Sequence, residues 1–273
     1  MIRSFDVGAV IGSTFSTYFS NIVPFCTIGL LINVPVIAFA YLFEMGLLLE
    51  ILPTGDPVTT LGGALAILFI LAMVQFVLGF LVTGAISFGV FQSLRGQKPS
   101  IGPCISRGFS VLLPVIGVAL LVGLLLISGV VLSVGVGILL DYPFVGGVFF
   151  IVPVIIFYIM FCIAVPVAVV EKPGVIKSLQ RSLDLTSGNR WAVFAVLLVL
   201  GILSVFMSIL LSVVLAIPIS IVGVSGLFGT VIAQSLISVI IGGIWSTALV
   251  VIYYHLRSSK ESIDVEEIAQ VFD

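Results

Sequence analysis

The sequence predicts an all-α integral membrane protein of six transmembrane helices in three parallel repeats, each repeat one short amphipathic interfacial helix followed by two spans. Three observations carry this reading. The chain is overwhelmingly apolar, its Lys and Arg residues fall on one side of a six-span topology, and the segments between spans repeat in register.

Of 273 residues, 61% are hydrophobic and 8% charged, whereas soluble domains are about half apolar and about a quarter charged. No soluble fold hides that much apolar surface. Crossing the hydrocarbon core takes about 20 mainly apolar residues. Six stretches qualify, about 23–43, 64–91, 111–140, 148–170, 191–217 and 230–254, and the longest of them must tilt, kink or protrude.

The basic residues are Arg3, Arg95, Lys98, Arg107, Lys172, Lys177, Arg181, Arg190, Arg257 and Lys260. All lie before span 1, between spans 2 and 3, between spans 4 and 5, or after span 6. The opposite loops carry Glu44, Glu50, Asp56 and Asp141 and no base, so the positive-inside rule puts both termini in the cytoplasm. The opening Met1 to Asp6 has one Arg and no compact apolar core ahead of a small-residue cleavage site. The first span is therefore expected to act as its own insertion signal and to stay in place.

Lys98-Pro99-Ser100-Ile101 recurs as Lys172-Pro173-Gly174-Val175, and at the same offset Ile105, Arg107 and Phe109 match Leu179, Arg181 and Leu183. Val7, Ile11 and Phe15 form a third copy before span 1. The predicted units within a single membrane domain (1–273) are about 1–95, 96–170 and 171–257, with a cytoplasmic tail, 258–273, that could open a short helix at Asp264 and Glu267. In Gly174 to Ser187, Val175, Ile176, Leu179 and Leu183 share one helical face while Lys177, Gln180, Arg181 and Asp184 lie elsewhere, the pattern of a helix lying in the interface. Gly188 is the expected C-cap residue and Asn189 the expected N-cap of span 5, with Trp191 an interfacial anchor.

Several function classes are disfavoured. A net charge of −2 offers no concentrated basic surface for nucleic acid. Cys26, Cys104 and Cys162 are widely spaced beside a lone His255, which makes neither a metal site nor a disulfide framework. Nucleophile elbow, phosphate loop, paired catalytic carboxylates and zinc motif are all missing from the sequence, so no catalytic residue, cofactor or metal is expected, and a lipid-modifying enzyme is a minor alternative. His255, with Tyr253, Tyr254 and Arg257, reads as an interfacial anchor.

Small or polar residues recur every fourth position: Gln75, Gly79, Thr83, Ser87; Gly129, Ser133, Gly137; Ser204, Ser208, Ser212, Ala216; and Gln234, Ser238, Gly242, Ser246. They suit close helix packing. The less favoured alternative is a polar path lined by Asn33, Gln75 and Gln234, in a channel or transporter for a small neutral or polar solute. No ionisable residue falls at mid-span, which disfavours ion coupling. Pro24, Pro35, Pro114, Pro153, Pro166 and Pro218 are expected to kink the spans.

Glu171, then Ser178-Leu179-Gln180-Arg181-Ser182-Leu183-Asp184-Leu185-Thr186, Gly188-Asn189-Arg190-Trp191, Tyr253-Tyr254-His255-Leu256-Arg257 and Lys260-Glu261 follow one another in an order that resembles the glycerophosphoryl diester phosphodiesterase membrane-domain family of bacterial six-span proteins. The resemblance spans essentially the whole chain. Some members fuse this domain to a soluble barrel that carries the hydrolytic carboxylates and histidine, and nothing after Arg257 could encode one. The resemblance thus implies a bacterial inner-membrane domain with a lipid association and without catalysis.

The leading expectation is a non-catalytic protein of envelope or lipid homeostasis, or a scaffold for a partner. Its basic surface, Lys98, Arg107, Lys172, Lys177, Arg181 and Arg190, would meet anionic lipid headgroups at the cytoplasmic face, with Glu171 and Asp184 as local ion-pair partners.

Overall fold

The computed structural model describes residues 5–44, 57–118, 154–171, 174–221 and 226–261, together with isolated helical residues between 120 and 131. Every regular element among them is helical. The helices are α1 (Val7–Ser20), α2 (Ile22–Glu44), α3 (Pro57–Leu94), α4 (Ile101–Ser110), α5 (Leu112–Val118), α6 (Ala164–Val170), α7 (Val175–Thr186), α8 (Arg190–Ile221) and α9 (Gly226–Glu261).

Four of these are long and apolar enough to cross a membrane, through Ile22–Phe39, Val77–Leu94, Arg190–Ile219 and Gly229–Lys260. α4 and α5 would supply a fifth crossing if taken as one span bent by 56°. Val154–Val170 is apolar but shorter. Most of the expected span 111–140, including Gly129, Ser133 and Gly137, and the start of 148–170 with Pro153 lie outside the described residues, as do Lys172 and the tail from residue 262. α8 presents Val205, Phe206, Ile209, Leu210, Val213 and Ile217 outward, a contiguous apolar surface of the kind that lipid or a partner covers.

Three of the prolines lie close to helix breaks, whereas Pro35 and Pro218 sit inside the uninterrupted α2 and α8. Pro166 has no N–H to give the carbonyl of Cys162, and the helical turns from Val154 are interrupted at Cys162 and Ile163 before α6 resumes. Pro24 and Pro114 each follow a joint, at Asn21 and Val111, where an amphipathic helix turns into an apolar one. The third such joint, between α7 and α8, turns instead at Gly188, whose φ of +85° suits glycine at the position just past a helix end. The C-cap is Ser187, one residue before the expected Gly188, and its N–H donates to Leu183 O, while Asn189 O accepts from Val193 N–H as expected of an N-cap.

α1, α4 and α7 share a register. Asp6, Ser100 and Gly174 immediately precede them, and the carbonyls of these residues accept from Val10, Cys104 and Ser178 at 3.0–3.1 Å. Each helix buries the row that starts there: Val10, Thr14 and Tyr18 in α1, Cys104 and Gly108 in α4, Ser178, Ser182 and Thr186 in α7. α1 packs chiefly on α9, α4 on α3, and α7 on α6.

The seat of α7 differs from the face predicted for it. Val175 and Leu179 do reach a cluster of Val111, Val115, Val118, Ala164, Ala168 and Val169, but Ile176 turns outward and the fully buried row is hydroxylic. Ser178 and Thr186 donate to the carbonyls of Gly174 and Ser182, both at 2.8 Å, and Ser182 reaches across to Met160 O at 2.7 Å. Small side chains let the two backbones approach, and internal hydrogen bonds remove the cost of burying the hydroxyls.

In α4 the same role falls to Gly108. A Cβ there would lie 3.0 Å from Leu81 O and 3.2 Å from Ala85 N, both backbone atoms of α3. Gly108→Ala should therefore push α4 off α3, costing about 1–2 kcal/mol and lowering the melting temperature of the detergent-solubilised protein. Gly102→Ala, with no atom near its Cβ, is the control for helix propensity.

One continuous core runs through α1, α2, α3 and α9 around Tyr18, Phe25, Ile86 and Tyr253. The small-residue rows of α3 and α9 meet inside it, where Ser246 Oγ lies 3.4 Å from Thr83 Oγ1.

Candidate functional site

Charged residues gather at one end of the bundle, and the contacts there cross long stretches of chain. The Phe5 and His255 rings meet edge to face at 6.5 Å. Asn21, at the joint of α1 and α2, donates to Thr17 O at 2.9 Å and to Ser93 Oγ, near the end of α3, at 2.8 Å. Lys260 Nζ donates to the Asp184 carbonyl and, at 2.6 Å, to Ser187 Oγ. The start of α1 and the ends of α3, α7 and α9 thus share one side.

The centre of this end is Glu171, the residue that closes α6. Arg181 Nε, from α7, donates to its two carboxylate oxygens at 3.3 and 3.2 Å. Tyr253 Oη, from α9, donates to Oε1 at 2.7 Å. Arg257 Nη1, one turn further on, donates to Tyr253 Oη at 3.0 Å and lies 3.8 Å from Glu171 Oε1. Tyr253 is fully buried and its ring meets Phe91 of α3 edge to face at 6.0 Å. One carboxylate therefore ties α6, α7 and α9 together, with α3 behind them. Two guanidinium groups, those of Arg181 and Arg257, border it.

The predicted basic surface does not behave as one set. Arg181 belongs to the Glu171 cluster. Lys98, Lys177 and Arg190 are exposed, with no side-chain hydrogen bond or ion pair among the described residues. Lys177 stands next to the exposed Ile176, and Arg190 next to Trp191, 84% exposed. Of the two expected ion-pair partners, Glu171 holds Arg181 and Arg257. Asp184 offers its backbone carbonyl to Lys260, while its carboxylate enters no ion pair among the described residues.

Arg107 is different again. It is half-buried, its guanidinium stands 5.8 Å from the Phe88 ring centroid, and its Nε is buried without a hydrogen-bond partner among the described residues. Burial pulls its pKa below the usual arginine value. It lines a cavity of about 480 Å³ between α3 and α4, with Phe88, Gln92, Arg95, Gln97 and Ser106 among the walls.

The three residues expected in a polar interior are not brought around one space. Asn33 is buried, donates to Gly29 O at 2.7 Å and accepts from Gln75 Nε2 at 3.4 Å. Gln75 and Gln234 are exposed on α3 and α9.

Sequence reasoning placed Tyr253 and Arg257 at the interface and missed their role on Glu171. A signal was present: Tyr and Arg four residues apart lie on one helical face, and a carboxylate closing an apolar span needs donors. Family models, curated proteins and solved structures give no match to this chain. The functional reading therefore rests on the chemistry of this end.

Proposed function

We propose that the chain is a non-catalytic bacterial inner-membrane protein of six spans in three parallel repeats, with both termini cytoplasmic. Its basic end would engage anionic headgroups of the cytoplasmic leaflet, serving envelope or lipid homeostasis or holding a partner there. Kinship with the phosphodiesterase membrane-domain family, without the hydrolytic barrel, belongs to this proposal. The observation that carries it is the exposed trio Lys98, Lys177 and Arg190, without an ion pair among the described residues, two of them beside outward-facing Ile176 and Trp191. Cations flanked by apolar side chains suit the level of phosphates above acyl chains.

The common register of α1, α4 and α7 supports the repeat. In that scheme α4 sits on the spans of the first unit, α7 on those of the second, and α1 on those of the third, so the units close in a ring. The shared end of α1, α3, α7 and α9 supports an even span count. A solute path is the second reading, but the exposure of Gln75 and Gln234 gives it no central lining to use.

Each base near an anionic leaflet contributes about 1 kcal/mol. Lys98→Gln, Lys177→Gln and Arg190→Gln together should weaken the preference of the reconstituted protein for anionic over zwitterionic lipid by about 3 kcal/mol, read as the lipid ratio retained around it in native mass spectrometry. An unchanged ratio in the triple variant would overturn the reading. Arg181 stays out of this set because its loss strikes Glu171.

A further inference from the structure

The sequence repeat aligns Arg107 with Arg181 and Gln97 with Glu171, each the residue ahead of a Lys-Pro pair. Arg107 and Arg181 are both the seventh residue of their helices, α4 and α7. In the α7 copy the carboxylate of Glu171 meets the arginine Nε at 3.2 Å. In the α4 copy the aligned position is a neutral glutamine, the Arg107 Nε is buried without a partner among the described residues, and Arg107 and Gln97 both border the cavity. The two arginines hold equivalent places, and among the described residues only Arg181 has a carboxylate beside it.

We propose that the cavity between α3 and α4 binds a phosphate-bearing anion, which gives Arg107 the counter-charge that Glu171 gives Arg181. This rests on the headgroup reading above and names a discrete site within it. A guanidinium donates only, and its fork of N–H groups matches a phosphate bidentately. Arg95 adds a second positive charge to the walls, and no carboxylate lines them among the described residues. Gln92 is oriented for the same task. Its Oε1 accepts from Ser100 N–H at 3.3 Å and from Cys104 Sγ at 3.6 Å; because a backbone N–H can only donate, the amide's NH2 end is left as the free donor on the wall. Phe88 under the guanidinium limits its swing. The volume suits a small ligand or a headgroup, since such sites span about 300–1,000 Å³. Phe109 and Leu113, just beyond Arg107, are 59% and 82% exposed, which would put acyl chains beside the mouth and favours a phosphoester carried by a lipid over a free one.

The test uses the full chain in neutral detergent and three probes: dihexanoyl phosphatidylglycerol, glycerol 3-phosphate, and phosphate-free dihexanoylglycerol. The wild type should bind the first saturably and the third at least tenfold more weakly. Equal binding of glycerol 3-phosphate would identify a free phosphoester as the ligand; weaker binding would identify the lipid. Arg107→Gln should lose at least tenfold in affinity. Gln97→Glu, at an exposed position where misfolding is no concern, should also lose at least tenfold while raising the melting temperature without ligand, because it supplies the missing carboxylate. Wild-type affinity in Gln97→Glu, or equal binding of dihexanoylglycerol, would overturn the site. The surface triple variant should keep its affinity for the soluble probe within twofold. Failure of the cavity variants while the triple variant still loses its anionic preference in bilayers would sink this site alone and leave the broader reading standing.

Discussion

Glu171→Ala is expected to cost about 2–3 kcal/mol of stability, the largest loss of any single charge removed from this chain. The substitution removes the acceptor that Arg181 Nε and the buried Tyr253 hydroxyl share, and the anion 3.8 Å from Arg257. Breaking a fully buried pair costs about 3–5 kcal/mol. The lower figure here reflects side chains that keep some contact with solvent, 18% of Glu171 and 30% of Arg181. Glu171→Gln should fall between, since an amide oxygen still accepts from Tyr253 but carries no charge. Thermal denaturation in detergent reads the difference. Because α6, α7 and α9 converge on this carboxylate, the loosened protein should also become more sensitive to proteolysis near Ser187 to Asn189. A Glu171→Ala protein that melts with the wild type would show that the cluster contributes nothing to holding the helices.

The second large effect is steric. Gly243 lies under Tyr18, and a Cβ built there would sit 2.6 Å from Tyr18 Cε2 and 3.0 Å from its hydroxyl. Tyr18 is fully buried and packs against Phe19 and Phe25 as well, so the ring has little room to yield. Gly243→Ala should cost about 2–3 kcal/mol, the upper part of the range for overpacking. Shortening the partner tests the cause. Tyr18→Leu alone should destabilise by leaving a cavity, yet combined with Gly243→Ala it should lose less than the sum of the two single changes. Strict additivity would place the clash elsewhere.

Much of this architecture is legible in the order of residues. Helix starts at Ile101 and Val175 follow from the repeated Lys-Pro pair, and the turn at Gly188 follows from a glycine placed between an amphipathic run and an apolar one. Long-range chemistry is less legible. Glu171 could be matched with Arg181 because they share one linker, whereas nothing local ties Glu171 to Tyr253 and Arg257, which arrive from the end of another span. The hydroxyl row Ser178, Ser182, Thr186 was in plain view, but the apolar face of the same helix dominated its reading. In water that face would turn to the core. Beside lipid, Ile176 can face outward while small polar side chains take the close packing. Arg107 and Arg181 look interchangeable on paper, and the identity of the residue ahead of each Lys-Pro pair is what separates them.

The seat of α1 on α9 has a consequence for biosynthesis. Among the described helices α1 comes earliest in the sequence, yet it rests chiefly on α9, and the Phe5 and His255 rings meet across that contact. α1 is thus synthesised well before the helix it packs on, and its Val10, Thr14 and Tyr18 row lacks its α9 cover until α9 has been made. A chain cut short before α9 deprives α1 of its main docking surface.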